Sequence, residues 1–353
     1  MQVGNIAAPE KMTTRKQWIV GSVLTTVLLG GVSLLNLDWR DSTEMSVLPA
    51  LQETTSAAVD PISPLPLAIS LDNRKVELGR RLFNDVRLSG DGSVSCASCH
   101  NLATGGVDRL ARSRGIGGKE GGINAPTVFN SGFNFRQFWD GRAETLEEQI
   151  DGPLQHPLEM GGAWPQAISM LSEDRPYRAE FKAIYPDGIS VRNVKDAIAT
   201  FERSLITPNS RLDRYLRGNH AALNEDELAG YRLFKQIGCT SCHQGMNIGG
   251  NMYQKLGIMD DYFAVRGNVS EADLGRFNIT KRDEDRHFFR VPSLRNVAVT
   301  PPYLHDASAR TLEDAVTIMA RYQLGKELAA LDVARIVAFL RTLTGEYLGK
   351  PLE

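Results

Sequence analysis

Two stretches of the chain repeat one pattern of apolar and polar positions. Leu78-Gly79-Arg80-Arg81-Leu82-Phe83 and Ala229-Gly230-Tyr231-Arg232-Leu233-Phe234 each read as part of an amphipathic helix. The second helix opens with Asn224 as N-cap and Glu227 three residues on, a reciprocal capping pair. Its apolar residues Leu228, Tyr231, Phe234 and Ile237 then follow helical spacing. Further helices are predicted over 143–150, 192–205, 311–322 and 329–343. The second of these has a clean apolar face of Val194, Ile198, Phe201 and Leu205. Alternating strand patterns are sparse. The expected fold is mainly α, with two repeated domains over 71–210 and 211–353. The boundary should fall between Leu205 and Asn224, near Pro208.

The N-terminal segment reads differently. Residues 18–37 carry no charge and are mostly apolar, with Lys11, Arg15 and Lys16 before them and Asp38 and Asp41 after. The run is about as long as a membrane-spanning helix requires. The positive flank should stay in the cytoplasm and place everything after Asp38 outside. We expect 1–41 to be a cytoplasmic tail and inner-membrane anchor; a signal cut near Gly31-Val32-Ser33 is the alternative. Residues 42–70 are rich in Ser, Thr, Ala and Pro, and read as a spacer.

Composition narrows the function. The formal net charge is −2, so no strong global field points to nucleic acid or anionic lipid. There are 4 cysteines, all in two copies of one motif: Cys96-Ala97-Ser98-Cys99-His100 and Cys239-Thr240-Ser241-Cys242-His243. None is left for a disulfide or a reactive thiol. Two thiols at this spacing can form thioethers to the vinyl groups of a haem, with the adjacent histidine under the iron. A zinc site would need four Cys or His ligands, and the other histidines are not at finger-like spacing. Each repeat therefore reads as helix, turn and haem attachment, with His100 and His243 as proximal ligands to two c-type haems.

With those motifs in place, the chain resembles the bacterial di-haem cytochrome c peroxidases over roughly residues 71–347. The first half carries Asn124-Ala125-Pro126-Thr127, Gln137-Phe138-Trp139-Asp140-Gly141-Arg142, Gln149 and Pro157-Leu158-Glu159-Met160. The second carries Val291-Pro292-Ser293-Leu294-Arg295-Asn296, Pro302-Tyr303-Leu304-His305-Asp306 and Ile318-Met319-Ala320-Arg321-Tyr322. The resemblance implies that the N-terminal haem is the peroxide site and the C-terminal haem receives electrons, with Met319 as its sixth ligand. It implies Glu159 as the distal acid–base group, Gln149 as its partner in the pocket, and Trp139 between the haems. It also implies a calcium ion held by Asn124 and the backbone carbonyls of Thr300 and Pro302. The partners implied are hydrogen peroxide and a small c-type cytochrome or cupredoxin, in the periplasm. Dimerisation is common in that family and is not legible in these residues.

One position departs from the pattern. Many members of the family close the oxidised peroxide site with a histidine that reduction of the other haem releases. Counted between Gly105-Gly106 and Asn124-Ala125-Pro126, that position is Ile116, and no histidine lies between His100 and His156. An isoleucine cannot ligate iron. The N-terminal haem is therefore expected to be open without reductive priming, with Ile116 as an apolar lid on the glycine-rich loop 115–122. His156 is the one other imidazole within reach in sequence. The runner-up function is a di-haem oxidase that modifies a protein, like the relative that matures a tryptophan-derived cofactor in methylamine dehydrogenase. That relative has Tyr where this chain has Met319. Pure electron transfer would need both irons closed, and the first half offers no evident sixth ligand.

Overall fold

The computed structural model describes residues 60–353. The expected anchor at 18–37 and most of the expected spacer lie outside these residues. Among the described residues no helix is long and apolar enough to cross a membrane.

The architecture is mainly helical. The first half contains α1 (Asn73–Phe83), α2 (Cys96–Cys99), α3 (Leu146–Gln149), α4 (Asp151–Gln155), α5 (Trp164–Glu173), α6 (Arg175–Ile184) and α7 (Val191–Ser204). The second contains α8 (Arg211–Leu216), α9 (Glu225–Gln236), α10 (Tyr262–Arg266), α11 (Phe277–Thr280), α12 (Leu312–Leu324) and α13 (Ala330–Arg341). Two small antiparallel ribbons complete it: β1 (Tyr253–Lys255) with β2 (Phe288–Arg290), and β3 (Glu346–Tyr347) with β4 (Lys350–Pro351). In the first, Tyr253 faces Arg290 and Lys255 faces Phe288.

Each half is built on one helix crossing, and the two crossings match. In the first half, α1 starts at Asp72, whose side chain accepts from the Arg74 N–H, and buries Leu78, Leu82 and Phe83. It packs on α7, which is capped by Ser190 and buries Val194, Ala197, Ile198 and Phe201. Gly79 sits at the contact: a Cβ there would lie 1.9 Å from the Ala197 carbonyl oxygen and 2.8 Å from Phe201 Cβ. In the second half, α9 is capped reciprocally by Asn224 and Glu227 at 2.9 Å each way, as the sequence predicts. It crosses α13 at Gly230, where a Cβ would lie 1.9 Å from the Arg335 carbonyl oxygen and 3.0 Å from Phe339 Cβ. The internal repeat is thus a pair of helices brought into backbone contact by a glycine. It sets Ala197 against Arg335 and Phe201 against Phe339 in structural register.

Two segments reach across the expected domain limits. Residues 60–66, expected to be spacer, pack onto the second half: Ile62 and Leu65 are buried there. Asp60 accepts from Tyr231 Oη and from Lys235 Nζ, the latter at 2.8 Å. Arg295 donates to the Ser63 carbonyl at 3.0 Å and pairs with Asp213 Oδ1 at 2.7 Å, both side chains being fully buried. Conversely, the chain end returns to the first half, where Tyr347 and Leu352 join its core and the Tyr347 ring meets Phe129 at 5.1 Å. The helix expected over 143–150 is instead two short helices, α3 and α4, meeting at Ile150.

Candidate active site

A cavity of about 170 Å³ opens to solvent in the first half. One wall is the turn bearing Cys96, Cys99 and His100. The turn begins at Ser95, reciprocally capped with Ser98. His100 Nδ1 lies 3.3 Å from the Gly106 carbonyl, so the ring donates there and keeps Nε2 free as a ligand atom. Gly106 adopts φ +76°, and a Cβ would lie 2.7 Å from Thr127 Oγ1, so only glycine holds this carbonyl in place. Burial pushes the His100 imidazole below its usual pKa, which favours the neutral, ligating form. Burial also pushes the Cys96 thiol up to about 12, which disfavours its thiolate.

Gln149, Glu159, Trp139 and Arg142 line the same cavity. The sequence-predicted acid–base group and its partner are therefore brought to the same cavity as His100. The Glu159 N–H donates to the His156 carbonyl at 3.0 Å, and its own carbonyl accepts from the Ile116 N–H at 2.8 Å. Burial raises the Glu159 carboxyl above the usual glutamate range, against the pull of His156, with Nδ1 3.6 Å away, and of Arg142. The Arg142 guanidinium is held 3.4 Å over the Phe138 ring and pairs with Asp140 at 2.9 Å.

The glycine-rich loop differs from expectation. Ile116 is not a lid over the cavity. Its side chain lies against Gly161, where a Cβ would be 2.2 Å from Ile116 Cδ1. Ser113, Gly115, Gly121 and Gly122 border the cavity instead. The loop is latched by the Ile116–Glu159 backbone bond and by a bond from Gly115 N to Lys119 O at 2.8 Å. The His156 side chain is 44% exposed and flanks Glu159 from outside the cavity wall.

The second motif repeats the first. Cys239–Ser241 forms a tight turn, and His243 Nδ1 lies 3.3 Å from the Ile248 carbonyl, the same second bond at the same length. Burial lowers the His243 imidazole to about 4 and raises the Cys239 thiol to about 12. Met319, on α12, and Trp139 both pack on one apolar cluster with Tyr262, Phe263, Phe289 and Tyr322. Trp139 thus lines the first cavity and touches the surroundings of Met319. Its Nε1 donates to the Asn124 carbonyl at 2.9 Å, and the Asn124 N–H donates to the His305 carbonyl at 2.9 Å. Asn124 Nδ2 donates to the Leu110 carbonyl at 2.9 Å, which leaves Oδ1 as the side chain's acceptor atom. Thr300 lies near Gly105. Pro302 follows Pro301 through a cis peptide bond.

Sequence reasoning missed two groups. Asp273, His305 and Asp306 cluster as metal ligands would, yet Arg266 already serves as their cation, 2.6 Å from Asp273 and paired with Asp306. Glu202, on α7, borders the first cavity with 8% of its surface exposed, and its Oε2 has no hydrogen-bond partner. Ser113 Oγ and Ser131 Oγ on the same cavity are also buried without partners. Three orphaned polar atoms around paired thiols and a pre-oriented imidazole fit a large, partly polar prosthetic group such as haem.

Residues 73–221 match the family model described as di-haem cytochrome c peroxidase. The chain is 45% identical over 291 residues to the cytochrome c551 peroxidase of Nitrosomonas europaea, covering 82% of this chain and 86% of that protein. The chain belongs to the di-haem cytochrome c peroxidase family. A second member, the cytochrome c peroxidase Ccp of Escherichia coli K12, is 48% identical over 289 residues, and this chain spans only 62% of its length. Among solved structures, a MauG-like protein associated with microbial copper homeostasis superposes with a TM-score of 0.72. It is 31% identical and covers 81% of this chain and 93% of its own. Both named peroxidases are thus nearer in sequence than this MauG-like family member.

Proposed function

We propose that this chain is an exported, periplasmic di-haem peroxidase that reduces hydrogen peroxide to water with two electrons from a small c-type cytochrome or cupredoxin. The observation that supports it most is one cavity lined by Cys96, Cys99 and His100 together with Glu159 and Gln149. Cys96, Cys99 and His100 would hold the N-terminal haem, and Cys239, Cys242, His243 and Met319 the C-terminal one. The haem would supply the redox chemistry that reduces peroxide.

The protein's own groups handle the protons. The Glu159 carboxylate takes a proton from one oxygen of peroxide and returns it to the departing oxygen, so that one group serves as base and then acid. Its raised pKa suits both roles. Gln149 orients the peroxide by hydrogen bonding. Two electrons and two protons convert one peroxide to two waters. Trp139 carries electrons between the haem sites, since it lines one cavity and packs on the cluster that holds Met319. A thioether ligand raises a haem's potential, which suits Met319 at the point of electron entry. Asn124 with the carbonyls of Thr300 and Pro302 would hold calcium.

With isoleucine at 116, packed on Gly161, and His156 outside the cavity wall, the site needs no reductive opening. The protein-modifying alternative is disfavoured by Met319 and by the greater identity to the named peroxidases. The test is steady-state turnover of the holoprotein with peroxide and reduced small cytochromes. The proposal requires two donor molecules oxidised per peroxide consumed. Peroxide consumption with no sustained donor oxidation would refute it.

A further inference from the structure

Glu202 is a buried acid that the peroxide chemistry above does not use. The two matching helix crossings give its counterpart in the second half. Gly79 meets Ala197 and Phe201 as Gly230 meets Arg335 and Phe339, so the residue after Phe201 corresponds to the residue after Phe339. That residue is Leu340, buried in the second core. The fold is thus satisfied by an apolar side chain at this place. The first half instead carries a carboxyl group, at a cost in desolvation and with no hydrogen bond to Oε2 in return. A group that costs stability and serves no packing need points to function.

Its surroundings indicate which function. Glu202 borders the cavity beside Cys96, whose thiol feels its charge. The nearest cation, Arg203 on the same helix, is drawn away by Glu147 on α3 at 2.8 Å. Glu147 itself adds like charge. Burial dominates and pushes the Glu202 carboxyl up to about 8. The acid therefore sits close to an even balance between its two forms at neutral to mildly alkaline pH, where a nearby unit charge in a low-dielectric site can tip it.

We propose that Glu202 is the redox-linked proton site of the N-terminal haem. Its Oε2 holds a proton while that haem is reduced and releases it when the haem is oxidised, because the extra positive charge of the oxidised iron favours the carboxylate. Each electron taken up by that haem is then matched by one proton taken from water, and no net charge is added to the buried site. This inference rests on the reading of the cavity as a haem site.

The test is a spectroelectrochemical titration of the N-terminal haem in the holoprotein between pH 6 and 10. The wild type should show a midpoint potential that falls by about 59 mV for each tenfold drop in proton concentration across the titration of Glu202. E202Q and E202L should both flatten that segment while keeping both haem spectra. Leucine is the residue the fold already accepts at position 340. An unchanged slope in either folded variant overturns the proposal. Should neither variant fold, redox-difference infrared spectra of the wild type and of E159Q decide it. A protonated-carboxyl band that grows on reduction and persists in E159Q is required, and its absence overturns the assignment. A wild type that shows the slope but does not turn over peroxide would refute the peroxidase reading and leave this one standing.

Discussion

Gly79→Ala is the sharpest probe of how the halves are built. The added Cβ would stand 1.9 Å from the Ala197 carbonyl oxygen, where ordinary contact begins at 3.4 Å, so α1 and α7 must part by about 1.5 Å. Leu78, Leu82, Phe83 and Phe201 are fully buried at this crossing, and the two phenyl rings meet edge-on at 5.3 Å. Each such side chain contributes about 1.5–3 kcal/mol by burial. A radial gap of 0.5–1 Å forfeits roughly a quarter to a half of the contact attraction. The crossing should therefore lose about 2–5 kcal/mol. Alanine's better helix propensity returns about 1 kcal/mol. The net expectation is a loss of about 1–4 kcal/mol, against the ~5–15 kcal/mol typical of a domain. Guanidinium unfolding of the purified holoprotein reads this as a lower midpoint. Gly230→Ala should behave alike, since its Cβ would meet the Arg335 carbonyl oxygen at the same 1.9 Å. A G79A protein within about 0.5 kcal/mol of wild type would refute the backbone-contact account.

Four further outcomes are expected. Because burial raises the Glu159 carboxyl and peroxide must meet the ionised form, kcat/KM for peroxide should fall on the acid side at a pH above the ordinary glutamate value of about 4.3. Arg142 holds that carboxyl down, so Arg142→Gln should move the acid limb further up in pH, and an unmoved limb contradicts the assignment. Trp139→Phe keeps an aromatic ring but loses the bond to the Asn124 carbonyl. It should cost about 1 kcal/mol of stability and lower kcat for donor oxidation, with KM for peroxide unchanged in steady-state assays. Asp213→Asn strands the buried Arg295 guanidinium and should cost about 3–5 kcal/mol in denaturant titrations, with both haem spectra kept in the folded fraction.

Much of this molecule is written in local pattern. The face Val194, Ile198, Phe201, Leu205 predicts a helix over 192–205, and α7 spans Val191–Ser204. The reciprocal cap at Asn224 forms as spaced, because both partners lie within one turn. Helices α5 and α6 went unread although Asp174 and the prolines in their first turns are start signals, because the periodicity of each spans only ten residues. The strap at 60–66 was illegible for another reason. Its prolines exclude regular structure, and its partners, Tyr231, Lys235 and Arg295, are far along the chain.

The site divides the same way. Residues carried by motifs, from Cys96 to Glu159, converge on one cavity. Glu202 hides inside an amphipathic helix, and only the structural register with Leu340 exposes it. Ile116 is singled out by the resemblance, but its direction toward Gly161 depends on a backbone bond to Glu159 that no spacing encodes.

The central claim is that the cavity shared by His100 and Glu159 is where peroxide reacts, and that it is open as synthesised. The most direct measurement mixes the fully oxidised, never-reduced holoprotein with hydrogen peroxide in a stopped-flow spectrometer, wild type beside Glu159→Gln. The account predicts a fast haem absorbance change in the wild type that is lost in the variant, with both haems still bound. A wild type inert until the C-terminal haem is reduced, or a variant that reacts at the wild-type rate, would contradict it.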